Sequence, residues 1–307
     1  MSSQPLVRIG TRASKLALTQ SGLMRDRIAA VSGAAELVHI TTTGDRVQDR
    51  RLLEIGGKAL FTKEIEEALL DGRIDCAVHS MKDVPAELPP GLTIAAIPER
   101  EDVRDAFLSV NYETLDDLPK GARLGTASLR RQAQMLHRRP DLEIVMLRGN
   151  VDTRIARLHE GVADAILLAA SGLNRLGFSG HVKSYIDPAD CPPAPGQGAL
   201  AIEVREEDAN APWLEAVRCR ATTIAVAAER GALVALEGSC RTAIGARAQL
   251  EGDRLTLLVE ALTPDGARRF RRIGETVLGS DPESEARDLG RVLAEQVKAE
   301  GGEALVY

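Results

Sequence analysis

The chain predicts an α/β protein followed by a smaller α+β domain built on an antiparallel sheet. Three observations lead there. Short apolar runs alternate with helical periodicity through the first two thirds of the 307 residues, a pattern of β/α units with mainly parallel sheets. The stretch Asp187 to Gly198 then reads D-P-A-D-C-P-P-A-P-G-Q-G, which no regular element crosses. Beyond it, three strand-like runs surround a Pro264-Asp265-Gly266 turn and a helical pattern closes the chain.

Taken in order, Leu6 to Ile9 reads as a strand. Ser14 caps a helix whose Leu16, Ala17, Leu23, Met24 and Ile28 share a face. A strand near Leu37 to Thr42 leads into a polar, glycine-containing stretch ending at Gly57. Thr62 opens a helix with Glu64, Glu66 and Glu67 in its first turns and Gly72 at its end. Strands are expected at Asp75 to His79, Leu92 to Ile97, Ala122 to Thr126, Leu142 to Leu147 and Asp164 to Ala169. Helices Ser128 to His137 and Asn150 to His159 separate the last three. A long helix is expected from Pro212 to Leu236, then strands Ala243 to Leu250, Arg254 to Leu262 and Ala267 to Ile273, and a helix from Pro282 to Lys298.

With 44% hydrophobic and 27% charged residues, the chain can bury cores in two or three domains. No run approaches the roughly 20 apolar residues of a membrane helix, and Met1 to Gln20 lacks the apolar core of a secretory signal. A cytoplasmic location without membrane association is therefore expected. Four scattered cysteines make no disulfide scaffold, and Cys76 lies mid-strand as a core residue. The five histidines are never three to five apart, so no metal site is expected. A net charge of -6 argues against a nucleic-acid partner. The basic side, however, is 32 arginines against 7 lysines, and seven arginines meet only three acids between Arg130 and Arg157. Codon bias accounts for many arginines. Concentration in one segment points to planar anions, which guanidinium groups bind two-pronged. That segment contains no aromatic residue on which an RNA base could stack.

Three features have the chemistry of a site, the first of them a pair of segments. Two strand-to-helix junctions, G-T-A-S-L-R-R from Gly125 and L-R-G-N-V-D-T-R from Leu147, join glycine, hydroxyl or amide groups and arginines. They read either as a polyanion cradle at helix N-termini or as ordinary caps with solvated arginines. V-H-S-M-K-D-V-P from Val78 places Lys82 and Asp83 at a strand end, as a surface loop or as a carboxylate that stabilises a cation and handles protons. L-E-G-S-C-R from Leu236 puts Cys240 at a turn beside Arg241, as an incidental thiol or an approachable thiolate.

Together with IGTRASKLALTQ from Ile9, GGKALFTKEIEEALL from Gly56, EREDVRDAF from Glu99 and PAPGQGAL from Pro193, these blocks span nearly the whole chain. In this order they closely resemble the porphobilinogen deaminase (hydroxymethylbilane synthase) family. The resemblance implies two type II periplasmic-binding-protein-like α/β domains and a small α+β third domain: residues 1–101 with 195–217, then 102–194, then 218–307. It implies a monomeric transferase of tetrapyrrole biosynthesis with a dipyrromethane cofactor held by a thioether on Cys240. Four porphobilinogen units are joined to that primer head to tail with loss of ammonia, and water then releases hydroxymethylbilane. By matching position, Arg12, Ser14, Arg148 and Arg154 hold the incoming unit, with Arg175 and Gln197 as further substrate contacts. Lys82, Thr126, Ser128, Arg130 and Arg131 hold cofactor acid groups, and Asp83 is both catalytic and cofactor-binding. Gly44 to Gly57 is a candidate lid, with Lys58 and Lys63 at its end. Ser239, Arg241 and Ala243 depart from a commoner family form around the cysteine and alter the stiffness and electrostatics of its turn. A carboxylate-binding or regulatory domain on the same scaffold is the rival reading, and neither version requires Cys240.

Overall fold

The computed structural model describes residues 6–42, 62–236 and 243–305. The chain divides into two compact units, Met1–Glu101 with Ala199–Thr223, and Asp102–Gly198 with Ile224–Tyr307.

In the first unit, β1 (Val7–Thr11), β2 (Ala35–His39), β3 (Cys76–Ser80), β4 (Leu92–Ala96) and the late strand β10 (Leu200–Arg205) form one sheet in the order β2-β1-β3-β10-β4. β1 is parallel to β2 and β3, while β10 is antiparallel to both of its neighbours. Four strands therefore run one way and one runs against them, which refines the expected mainly parallel sheet. Strand alternation sorts the two faces. Val7, Ile9, Cys76, Val78, Leu200, Ile202 and Val204 pack against Met24 and Ile28 of α1 (Lys15–Ser32). Ala77 turns the other way, toward Ile65, Ala68 and Leu69 of α2 (Lys63–Leu70).

The stripe expected on α1 is corrected. Its buried residues are Gln20, Ser21, Met24, Ile28 and Ser32, and Leu23 is 48% exposed. The face toward the sheet follows the four-residue spacing from Gln20, which excludes Leu23. The two polar residues are satisfied there: Gln20 Nε2 donates to Ser80 Oγ at 3.0 Å and Ser21 Oγ to Thr11 Oγ1 at 2.8 Å.

The second unit repeats the plan. β5 (Asp105–Ser109), β6 (Arg123–Gly125), β7 (Glu143–Val145), β8 (Ala165–Ala169) and β9 (Ser184–Tyr185) are ordered β7-β6-β8-β5-β9. β6 is parallel to β7 and β8, and β5 is the reversed strand. Helices α3 (Leu129–Arg138), α4 (Val151–His159) and α5 (Ala170–Leu176) follow β6, β7 and β8. Both sheets have the order of a type II periplasmic-binding-protein-like fold. The sequence reading lacked β5, β9, β10 and α5.

The same unit contains the antiparallel sheet β11 (Ala243–Glu251), β12 (Arg254–Leu262) and β13 (Arg269–Val277), covered by α6 (Arg220–Leu236) and α7 (Pro282–Gly301). The two helices cross at glycines. A Cβ on Gly290 would stand 2.0 Å from Ala228 O, and one on Gly231 2.3 Å from Arg287 O. Against the expected single helix from Pro212 to Leu236, Pro212–Ala216 is a 3-10 turn and α6 begins only at Arg220. Leu214 and Val217 are drawn into the core of the first sheet, and Cys219 N–H donates to Ile97 O at 2.8 Å instead of to a preceding helical carbonyl.

Candidate active site

In the first unit the candidate groups leave the carboxyl ends of two paired parallel strands. β1 runs into Arg12 and Ser14, and the Ser14 hydroxyl accepts from Ala17 N–H at 3.3 Å as the cap of α1. β3 runs into a 3-10 turn, Met81–Asp83. Because β1 and β3 are neighbours in parallel register, Arg12, Ser14, Lys82 and Asp83 emerge on one edge of one sheet, the edge where open α/β sheets bind ligands. Met81 N–H donates to Ala199 O at 3.0 Å and anchors the turn to β10. Asp83 is exposed and makes no ion pair among the described residues. Lys63 is exposed beside Glu67, at 4.0 Å. Lys58 and the stretch Gly44 to Gly57 lie outside the described residues.

The second unit repeats this geometry with different charges. After β6, Thr126 Oγ1 accepts from Ser128 N–H at 3.1 Å, and Ser128 Oγ accepts from Arg131 N–H at 3.4 Å. After β7, Asn150 Oδ1 caps α4 by accepting from Thr153 N–H at 3.0 Å. Gly149 has φ +113°, and a Cβ there would stand 2.9 Å from the Thr153 side chain, so this junction requires glycine. Arg154 Nε donates to Gly149 O at 2.8 Å. Nη1 of Arg148 is buried without a hydrogen-bond partner. Arg175, on α5, donates from Nη2 to Gly198 O at 2.7 Å.

Arg130 and Arg131 differ from the other described arginines in being buried, each 5% exposed. Both meet Asp105, itself buried at the start of β5: Arg130 Nη1 stands 2.8 Å from Oδ2, and Arg131 donates from Nε and Nη2 to Oδ1 at 3.1 and 2.8 Å. Gln197 Nε2 also donates to Oδ1 at 2.9 Å, and to Val103 O at 2.8 Å. Burial alone would raise the Asp105 carboxyl pKa. The guanidinium groups of Arg130 and then Arg131 outweigh it and hold the carboxyl well below the usual range. Two positive charges share one negative charge, and Nε of Arg130 is buried without a partner. Sequence reasoning missed Asp105, although it lies inside the block E-R-E-D-V-R-D-A-F.

Arg130 also donates to Gln134 Oε1, and Gln134 Nε2 to Glu260 Oε1 at 3.0 Å on β12, so the junction after β6 is tied to the antiparallel sheet. Of the cysteines, Cys76 is fully buried, as expected of a core residue, and burial pushes its thiol far up; that of Cys191 is pushed up to about 12 by burial. Neither is a thiolate at neutral pH. Cys240, with Ser239 and Arg241, lies outside the described residues.

The orphaned guanidinium nitrogens of Arg148 and Arg130 suit a ligand bearing several carboxylates, because a buried donor without an acceptor costs about 1–3 kcal/mol that an anion recovers.

Comparison with known proteins agrees with this chemistry. The family model described as "Porphobilinogen deaminase, dipyromethane cofactor binding domain" matches residues 7–212, and "Porphobilinogen deaminase, C-terminal domain" matches residues 223–299. The chain is 70% identical to porphobilinogen deaminase of Caulobacter vibrioides, over 100% of this chain and 99% of that one. It is 66% identical to that of Phenylobacterium zucineum, over 100% of both. A nutrient binding protein from Burkholderia cenocepacia, solved with methionine, aligns with a TM-score of 0.44 at 14% identity over 68% of this chain and 89% of its own.

Proposed function

The chain belongs to the porphobilinogen deaminase family, and from that premise we propose which of its residues carry the family's reaction. The enzyme is a transferase that condenses porphobilinogen head to tail, with a dipyrromethane cofactor as primer, and releases hydroxymethylbilane for tetrapyrrole synthesis. The full-length match to the Caulobacter enzyme carries this conclusion. When bound, the cofactor supplies the nucleophile, the free α-carbon of its terminal pyrrole.

In our assignment Cys240 is the tether, through a thioether. In the first unit, Arg12 and Ser14 bind the acetate and propionate arms of the incoming porphobilinogen, and Lys82 holds a cofactor acid group. In the second unit, Arg148 and Arg154 take the substrate arms, with Arg175 and Gln197 contributing at their edge. Thr126, Ser128, Arg130 and Arg131 face the cofactor acids. The orphaned nitrogens of Arg148 and Arg130 support this reading. In each addition one C–N bond breaks and one C–C bond forms. Asp83 would accept from the pyrrole N–H groups and stabilise the cation left when the substrate's amine departs. The attacking pyrrole α-carbon loses its proton as the C–C bond forms; that proton leaves with the ammonia, and Asp83 would conduct it.

Three domains follow as a proposal: residues 1–101 with 195–217, then 102–194, then 218–307. We also place the enzyme in the cytoplasm as a monomer acting on a small molecule, without nucleic acid or membrane. In support, no helix among the described residues is long and apolar enough to cross a membrane, and the chain has a net charge of -6. Intact mass under denaturing conditions tests the tether. An excess of two linked pyrroles on the native chain that is missing from Cys240→Ser supports the assignment, whereas the same mass excess on both chains removes it.

A further inference from the structure

We propose that His79 and Glu203 are positioning residues: their buried imidazole–carboxylate pair, with Glu66 beside it, fixes the end of β3 and so the stance of Asp83. The inference rests on the reading of Asp83 as the carboxylate that meets the developing cation. Alternation along β3 puts His79 on the same face as Ala77, and alternation along β10 puts Glu203 on the same face as Ala201. That face is covered by α2, which contributes Glu66. An apolar surface would be expected between a sheet and a helix, yet three ionisable side chains occupy it, each residue at most 8% exposed. His79 Nε2 and Glu203 Oε2 stand 2.8 Å apart, and Glu203 Oε1 is buried without a partner.

Burying such a group is costly, and an apolar pair of similar volume would join the strands as well. What an apolar pair would not do is hold one strand end in a fixed orientation. His79, Ser80 and Met81 are consecutive, and each is tied to a different atom: His79 to Glu203, Ser80 to Gln20 of α1, and Met81 N–H to Ala199 O. Lys82 and Asp83 follow immediately. Asp83 itself makes no ion pair among the described residues, so its placement is inherited from the strand that leads into it. The hydrogen bond between His79 and Glu203 is directional and adds a side-chain restraint to the backbone pairing of His79 with Ala201, which apolar contact at that place would not supply.

The test uses cofactor-loaded enzyme, with turnover expressed per folded, loaded molecule well below the unfolding transition. Glu203→Leu, which removes the directional bond, is expected to lower kcat about 10- to 100-fold, the cost of a small misplacement of a reacting group, with the KM for porphobilinogen unchanged, whereas Glu203→Gln keeps an acceptor for the imidazole and is expected to restore most of that kcat. Unchanged kcat in Glu203→Leu, whatever its Tm, overturns the proposal, because a purely structural pair affects stability alone. A loss confined to KM overturns it too. Should Glu203→Leu fail to fold, the apolar pair His79→Leu/Glu203→Leu leaves no buried polar group unpaired and is expected to show the same fall in kcat. Asp83→Asn measured in parallel separates the two readings. Near-normal turnover there overturns both, whereas an inactive Asp83→Asn beside a normal Glu203→Leu overturns only the positioning role.

Discussion

Each five-stranded sheet contains one reversed strand, and each reversed strand buries a carboxylate, but the two are neutralised differently. Glu203 on β10 meets one imidazole and leaves an oxygen unused. Asp105 on β5 meets two guanidinium groups and an amide, with both oxygens engaged. The guanidinium groups hold the Asp105 carboxyl well below the usual range. The same topology thus supports a carboxylate paired on both oxygens in the second unit and one paired on a single oxygen in the first. Sheet order places these acids but does not determine their chemistry.

The sharpest way to break this comparison is to remove the carboxylate paired on both oxygens. Asp105→Asn strands two buried guanidinium groups and is expected to cost about 3–5 kcal/mol in urea denaturation; a cost below about 1 kcal/mol would mean that Arg130 and Arg131 are compensated by other groups. The corresponding change at the exposed carboxylate should leave folding intact. Asp83→Asn is expected to keep the native unfolding midpoint while kcat falls about 10²- to 10³-fold, the scale of one lost electrostatic contact to the transition state.

Acid titration sharpens the contrast through opposite signs. Asp105 has a folded pKa below its unfolded one, so its stabilising contribution is complete above the unfolded pKa and is lost only as pH falls through the folded value. Glu66 is the reverse: burial raises its folded pKa, so any stability linked to it is present below the unfolded pKa and lost as pH rises through the folded one. Asp105→Asn should accordingly lose its deficit in Tm only in strong acid. Asn150→Ala, which removes the exposed cap of α4, is expected to cost about 1 kcal/mol at any of these pH values. The smallest effect is expected from Glu66→Gln, which should raise Tm more at pH 8 than at pH 5; equal shifts at both would mean that burial does not raise the carboxyl of Glu66.

What could be read from the residues was local. Ser14 reads as a cap, and capping is one of the two readings of Ser128 and Asn150; each of the three side chains accepts a backbone N–H three residues on. Cys76 was expected in the core because it sits within a short apolar run, and it is fully buried. β5 and β10 escaped notice because neither has a local signal beyond a few apolar residues. β10 is defined by pairing with β3, more than a hundred positions away in the chain. The break before α6 was hidden for a related reason, since the N–H of Cys219 finds its acceptor on Ile97 of a distant strand end.

Residue order along the chain suffices for the family, for the alternation of strands and helices, and for where hydroxyls, amides and arginines stand at helix starts, because capping and periodicity act over three or four residues. Which charges meet is settled by folding. Arg130 and Arg131 read as free cations until β5 brings Asp105 between them, and His79 reads as a strand residue until β10 sets Glu203 beside it. Whether a buried charge is stable depends on partners that chain folding, not chain order, makes neighbours.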